Sequence, residues 1–227
     1  MRNFLGAFRA DAPFFVRDRM KRETLRLYAV TDRRWLHRGT LATAVEAALT
    51  GGVTIVQLRE KEADEALLRS EIRILRAVCR RYNVPLILDD YVELAAETGC
   101  DGVHLGLSDM PAAEARKILG PDKIIGVTAK TVEQAQRAQA DGADYLGSGA
   151  MFSTLTKPEA KPMTPERLRA IVQSVDIPVV AIGGIGIGNI SQLSGTGIAG
   201  AAVSEAVFDT EDICGAAAAL KEAVLKL

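Results

Sequence analysis

Histidine and cysteine are scarce in this chain: two His and three Cys in 227 residues. Two histidines, His37 and His104, leave little material for a zinc cluster. Cys79, Cys100 and Cys214 are odd in number and far apart. That pattern suits buried thiols in a reducing compartment better than a disulfide framework. No apolar run reaches the roughly 18 residues of a membrane span. No uninterrupted stretch resembles a secretory signal either, so a cytoplasmic location is expected. Charge of one sign is not in excess: 28 Lys and Arg face 29 Asp and Glu, for a net charge of −1. This balance excludes a nucleic-acid binder that works through bulk positive charge. Pro-rich and acidic low-complexity tracts are missing, as are a P-loop, a dinucleotide fingerprint and a Ser–His–Asp set.

What is present is a soluble-protein composition, about half apolar and one quarter charged. Residues 1–26 stand apart, with seven Arg and Lys against three Asp and Glu and with Phe4, Phe8, Phe14 and Phe15 interleaved. They read as a short extension. It either packs on the domain or uses the phenylalanines against a partner. From residue 27 to 227 one pattern repeats. Short β-branched runs at 27–31, 54–59, 86–89, 102–105, 124–128, 145–147, 179–182 and 200–203 read as strands. Helical periods at 40–50, 64–81, 111–119, 131–140, 165–174 and 210–225 fall between or after them, with a short helix expected between Asp90 and Gly102. Gly51-Gly52, Gly99, Gly120 and Gly142 stand where helices should end. Alternating strands and helices demand a parallel sheet, and eight units favour a single closed (β/α)8 barrel over an open doubly wound sheet.

In such a barrel the chemistry collects at the C-terminal ends of the strands. Gln57, Arg59 and Lys61 alternate along strand two and so share one face. With no anion expected beside them inside the barrel, the two cations imply an anionic ligand; an internal salt bridge to Asp89 or Asp90 is the alternative. Asp90 and Asp109 come from the ends of neighbouring strands. Their carboxylates suit a hard cation such as Mg2+ bridging to phosphate oxygens, or else cap helices. Gly183-Gly184 follows strand seven, the usual phosphate side of this barrel class, or makes a tight turn. Thr154, Leu155, Thr156 and Lys157 bring hydroxyls and an ammonium to a loop after strand six. His104 lies in an apolar strand and reads as a core residue. Together these place a metal-bound polyphosphate near strands two to five and a monophosphate near strands six to eight.

These residues resemble the thiamine phosphate synthase family over about 27–208. The likeness is carried by Tyr28-Ala29-Val30-Thr31-Asp32, Gln57-Leu58-Arg59-Glu60-Lys61, Leu88-Asp89-Asp90, Gly102-Val103-His104-Leu105-Gly106 with Asp109, Gly126-Val127-Thr128, Gly142-Ala143-Asp144-Tyr145, Thr154-Leu155-Thr156-Lys157 and Ile182-Gly183-Gly184-Ile185. The resemblance implies a transferase that joins a hydroxymethylpyrimidine diphosphate to a thiazole phosphate, giving thiamine phosphate and pyrophosphate. It implies that Gln57 holds the aminopyrimidine and that Tyr28 lines its pocket. Arg59, Lys61, Thr128 and Lys157 would bind the diphosphate and carry catalysis, with Mg2+ on Asp90 and Asp109. Thr154, Thr156, Gly184 and the backbone of Ser204 and Glu205 would seat the thiazole phosphate. Leu58, Glu60, Asp89 and Leu155, inside the same motifs, join the substrate-binding set. The sequence departs from the family at Asp89 for Asn, Leu107 for Gln, Thr128 for Ser, Ala150 for Pro and Glu205 for a small residue. A thiazole tautomerase and a silent precursor-binding barrel are the alternatives. A sugar-phosphate isomerase would need an acid–base pair that is not evident. The expected partners are the two small-molecule substrates, with no nucleic acid or membrane. A homo-oligomer is left open.

Overall fold

Runs of four or five residues rich in Val, Ile, Leu and Ala are too short to bury both faces alone, and here eight of them solve that by closing on one another. In a computed structural model, which describes residues 20–37, 39–61, 63–154 and 162–227, the strands are β1 (Leu27–Val30), β2 (Ile55–Leu58), β3 (Leu86–Asp89), β4 (Gly102–Leu105), β5 (Ile124–Thr128), β6 (Tyr145–Gly149), β7 (Val179–Ile182) and β8 (Gly200–Val203). Each pairs in parallel with the next, and β1 pairs with β8 through Leu27↔Ala201 and Tyr28↔Ala202, which closes the barrel. Residues 1–19, with all four extension phenylalanines, lie outside the described residues.

Helices α1 (Leu41–Thr50), α2 (Glu65–Arg81), α3 (Val92–Thr98), α4 (Ala112–Leu119), α5 (Val132–Ala140) and α6 (Pro165–Gln173) follow β1 to β6 in turn. Their starts are written in the sequence. The side chains of Asp64, Thr131 and Thr164 accept from the backbone N–H of Leu67, Gln134 and Arg167, satisfying donors that no helical carbonyl can reach. Gly99 ends α3 in the left-handed region at φ 67°. Between β7 and β8 only a 3-10 turn, Ile190–Leu193, forms. The helix expected over 210–225 starts later, as α8 (Ile213–Val224) capped by Asp212, because a separate four-residue helix, α7 (Glu205–Phe208), first turns the chain away from β8. Strand six runs two residues further than its expected end, to Gly149. At the other end of the barrel Arg22 donates to the carbonyls of Gly197 (2.9 Å) and Ile198 (2.7 Å), tying the start of the described chain beside β8.

Strand alternation sorts the core into two layers. Ala29, Val56, Leu58, Leu86 and Leu88 face out against the helices. Tyr28, Ile55, Ile87, Ile124, Tyr145 and Val180 fill the barrel axis. Cys79 and Cys100 are buried, and burial pushes their thiols up to about 12 and about 11, so both are inert packing groups. Among the described residues no helix is long and apolar enough to cross a membrane.

The axis is filled to contact. A Cβ added at Gly126, on the inward face of β5, would collide with the ring of Tyr145. Gly126→Ala is therefore expected to cost about 1–3 kcal/mol of stability. A urea titration that follows far-ultraviolet circular dichroism would show this as a lower midpoint with an unchanged slope; an unchanged midpoint would mean the axis has slack.

Candidate active site

Above the apolar layer, the C-terminal strand ends surround one cavity of about 590 Å3. Strand alternation decides which side chains reach it. From β2 and its loop, Gln57, Arg59 and Lys61 line the cavity, as their shared face requires. Leu58, one residue out of phase, is 1% exposed and packs outward against the helices. Glu60 is likewise buried, and its Oε2 accepts from Arg33 at 2.8 Å, outside the cavity wall. Tyr28 sits one layer below, at 2% exposure, with its hydroxyl 2.7 Å from that of Tyr145. Tyr28, Leu58 and Glu60 thus do not line the cavity that their motifs led us to expect. The reason is common to all three: neighbours in a strand point to opposite faces or to different layers of the barrel.

Arg59 is not free of anions, contrary to the expectation above. Its Nη1 lies 3.5 Å from Asp32 Oδ2 and its Nε lies 3.4 Å from Asp89 Oδ2, so it stands between carboxylates delivered by β1 and β3. Asp89 also takes a long contact of 3.5 Å from Gln57 Nε2. Both ion pairs are longer than a tight charge-assisted bond of about 2.7–2.9 Å. The guanidinium therefore keeps capacity for another anion. Asp32 is held by Arg34, whose Nη2 lies 2.6 Å from Oδ2. Burial alone would raise the Asp32 carboxyl, but bonds from the Arg34 side chain and N–H, then the charges of Arg34 and Arg59, leave it below its ordinary value.

Asp90 and Asp109 both reach the cavity. Neither caps the helix that follows it: the residues flanking the starts of α3 and α4, Tyr91 and Pro111, have no side-chain cap bond, and Asp109 Oδ2 instead accepts from Gly106 N at 2.5 Å. Asp90 is a non-glycine residue at φ 65°, a conformation that costs energy and turns its carboxylate over the strand ends. Burial raises the Asp90 carboxyl, the charge of Asp109 raises it further, and Lys61 and Arg59 pull it back. Asp90 and Asp109 are the carboxylates that would hold a cation on this rim. Among the described residues no group of three or more His, Cys, Asp or Glu side chains is arranged around a metal position. A carboxylate pair fits Mg2+, which takes one or two carboxylates and completes its shell with water and phosphate oxygens. It does not fit zinc.

Across the cavity, Gly183 (φ 97°) and Gly184 (φ 64°) let the chain after β7 run against residues 150–153, where any Cβ would meet Ala150 or the backbone of Ser153. Gly184, Thr154, Ser204 and Glu205 line this side. The Ser204 hydroxyl is buried and has no hydrogen-bond partner among the described residues. Leu155, Thr156 and Lys157 lie outside the described residues. Thr128 lines the wall between the two sides, and His104 Nε2 is 3.1 Å from its Oγ1. His104 is therefore both a core residue and part of the cavity wall. Sequence reading missed Asp32 as a charge partner and Asn189, which bonds the Gly184 carbonyl (2.8 Å) and the Gly186 N–H (2.9 Å) and so shapes the turn. For Asp32 the signal was its place two residues past β1; for Asn189 there was none.

Comparison with known proteins gives a consistent picture. A family model described as thiamine monophosphate synthase matches residues 27–207. The thiamine-phosphate synthase of Ruminiclostridium cellulolyticum is 50% identical over 196 residues, covering 86% of this chain and 93% of that protein. Thiamine-phosphate synthase 2 of Streptococcus pneumoniae is 47% identical over 194 residues, covering 86% and 92%. Among solved structures, thiamine phosphate pyrophosphorylase from Pyrococcus furiosus superposes with a TM-score of 0.83 at 40% identity, covering 90% of this chain and 97% of that one. A 3-hexulose-6-phosphate synthase at 20% identity, with a TM-score of 0.63 over 88% of this chain and 99% of that one, shares the fold alone.

The placement of Arg59 makes opposite expectations for two variants. Arg59→Gln should weaken binding of inorganic pyrophosphate, measured calorimetrically with Mg2+ present, by about tenfold or more. Asp89→Asn removes a carboxylate that competes for the same guanidinium and should tighten it. Equal weakening by both would show that Asp89 serves the ligand rather than competing with it.

Proposed function

The chain belongs to the thiamine monophosphate synthase family, and from that premise we propose how its cavity carries out the reaction. The protein is a transferase of thiamine biosynthesis. It condenses 4-amino-2-methyl-5-hydroxymethylpyrimidine diphosphate with thiazole phosphate to give thiamine phosphate and pyrophosphate. The relatives compared above are named as synthases and lend no support to the tautomerase or silent-barrel alternatives. The observation that carries our reading of the site is the convergence of Arg59, Lys61, Asp90 and Asp109 on one rim of one cavity.

The bond that breaks joins the pyrimidine methylene carbon to a diphosphate oxygen, and its electron pair leaves with the pyrophosphate. The bond that forms uses the lone pair of the thiazole ring nitrogen on the same carbon. No proton need move, which agrees with a cavity lacking a matched acid–base pair. The aminopyrimidine ring stabilises positive charge at the methylene, so the leaving group can depart ahead of full bond formation. The protein then has two tasks: to stabilise charge on the leaving group and to hold the thiazole in line.

In this reading Arg59 and Lys61 bind the diphosphate, Thr128 donates to one of its oxygens and Gln57 orients the aminopyrimidine. Mg2+ held by Asp90 and Asp109 would offset the charge that builds on the leaving oxygens. Ser204, whose hydroxyl lacks a protein partner, and the backbone at Gly184 bind the thiazole phosphate beside Thr154. On the strength of their motif, Thr156 joins this seat and Lys157 joins the diphosphate set. Glu205 stands close to the thiazole phosphate seat, where its carboxylate opposes the charge of the phosphate. The cavity volume suits two ring systems and their phosphates, since ligand pockets of this kind span about 300–1,000 Å3.

Two outcomes test the proposal. Coupling of the two heterocycles should stop when EDTA removes divalent metal and return with Mg2+; full turnover in EDTA would remove the metal from the mechanism. Lys61→Ala should lower kcat/KM by about 100-fold or more while leaving the circular dichroism spectrum and melting unchanged. Near-full activity of that variant would place the diphosphate elsewhere.

A further inference from the structure

The floor of the cavity holds a row of hydrogen-bonding groups that the reaction above uses only at its end. The Tyr28 hydroxyl is 2.7 Å from the Tyr145 hydroxyl. The Tyr145 hydroxyl is 3.1 Å from His104 Nδ1, and His104 Nε2 is 3.1 Å from Thr128 Oγ1. The row runs from the apolar barrel axis up to a side chain on the cavity wall. The barrel leaves room for it with glycines on the adjoining inward positions. At Gly126 a Cβ would collide with the Tyr145 ring, and at Gly147 it would stand 3.0 Å from His104 Cε1. The rings follow one another along the axis in tilted contact, with His104–Tyr145 centroids 5.6 Å apart at 35° and Tyr28–Tyr145 centroids 5.9 Å apart at 57°.

A row of this kind has two proton orders, and counting donors separates them. In one, Thr128 donates to His104 Nε2, His104 Nδ1–H donates to Tyr145, and Tyr145 donates to Tyr28. The Tyr28 proton is then left at the bottom, in a residue 2% exposed with no acceptor among the described residues. A buried donor without an acceptor is costly. In the other order, Tyr28 donates to Tyr145, Tyr145 donates to His104 Nδ1, and His104 Nε2–H donates to Thr128. The only proton left over is that of Thr128, which faces the cavity, where water or a ligand oxygen accepts it. Burial raises both phenols, so each keeps its proton to donate.

We infer that Tyr28, Tyr145 and His104 form a proton-ordered chain that holds His104 as the neutral Nε2–H tautomer and turns the Thr128 hydroxyl outward as a donor to an anionic ligand oxygen. The inference rests on the reading that Thr128 meets the diphosphate, and it adds His104 as a positioning residue. His104 stands behind Thr128 on the cavity wall and saturates it from that side, so that Thr128 has one direction left in which to donate.

With only two histidines in the chain, one spectrum reads the tautomer directly. The full chain is labelled with 15N-histidine, and long-range 1H–15N correlations are recorded at neutral pH. His37→Gln assigns the exposed His37, which pairs with Asp209 far along the sequence. The expected result for His104 is an unprotonated Nδ1 and a protonated Nε2. An Nδ1–H tautomer or an imidazolium would overturn the inference. Kinetics supply the second arm. His104→Leu should raise KM for the pyrimidine diphosphate about tenfold with kcat within about threefold, and His104→Gln, which restores an N–H donor, should recover KM to within about threefold of the parent. A Leu variant with unchanged KM, or a Gln variant no better than Leu, would also overturn it. The tautomer is measured on free protein. An Nε2–H signal in a protein unable to form thiamine phosphate would support this inference while sinking the functional reading.

Discussion

Closing eight parallel strands sets the ends of β1, β2, β3 and β4 side by side, about 4.8 Å apart, and this chain puts a charged residue at or just past each of them. Asp32 follows β1, Arg59 and Lys61 follow β2, Asp89 and Asp90 stand at and just past the end of β3, and Asp109 comes from the loop after β4. Asp32 is matched by Arg34, and Asp89, Asp90 and Asp109 face Arg59 and Lys61 across a partly buried rim. In the proposed reading a divalent cation on Asp90 and Asp109 would add positive charge there, and a polyphosphate would meet a metal, a guanidinium and an ammonium at once. The left-handed backbone at Asp90 and the bond from Gly106 N–H to Asp109 set where these two carboxylates stand.

Everything beneath the rim supports that arrangement. The apolar layer of Ile55, Ile87, Ile124 and Val180 fixes the strands, and the two tyrosines and His104 carry polarity upward from it without leaving a donor stranded. Outside the wall, Arg33 links Glu60 (2.8 Å) and Glu71 (2.7 Å). That bridge anchors the loop bearing Arg59 and Lys61 to α2, although Glu60 itself never reaches the cavity. Across the mouth, Gly183 and Gly184 bring the β7 loop against residues 150–153, and Thr154 and Ser204 line that side of the cavity.

Much of this was legible in the residues. The eight apolar runs and the glycines at helix ends act locally, and the expected elements agree with the observed ones to within two residues except at the start of α8, which lies three residues further on. Alternation along β2 correctly put Gln57, Arg59 and Lys61 on one face. The same rule sends Leu58 and Glu60 the other way, yet they were expected at the substrate because the motif was read as a contiguous block. The pair of Arg59 with Asp89 was open as an alternative, whereas Asp32, 27 residues away, was hidden because it meets Arg59 only when the strands pair. His104 was read as core because its strand is apolar. Its two ring nitrogens in fact serve the core and the cavity separately, a distinction that needs coordinates. The short α7 escaped notice because four residues carry too little periodicity.

In the proposed reading a departing pyrophosphate is held at the β2–β4 rim through a divalent ion. A crystal structure of the protein soaked with MgCl2 and inorganic pyrophosphate tests this most directly. The account requires one octahedral ion sharing oxygens with Asp90 and Asp109, with pyrophosphate bridging it to Arg59 and Lys61. Pyrophosphate seated only on the Gly184 and Ser204 side, or an ion bound away from both aspartates, would contradict it.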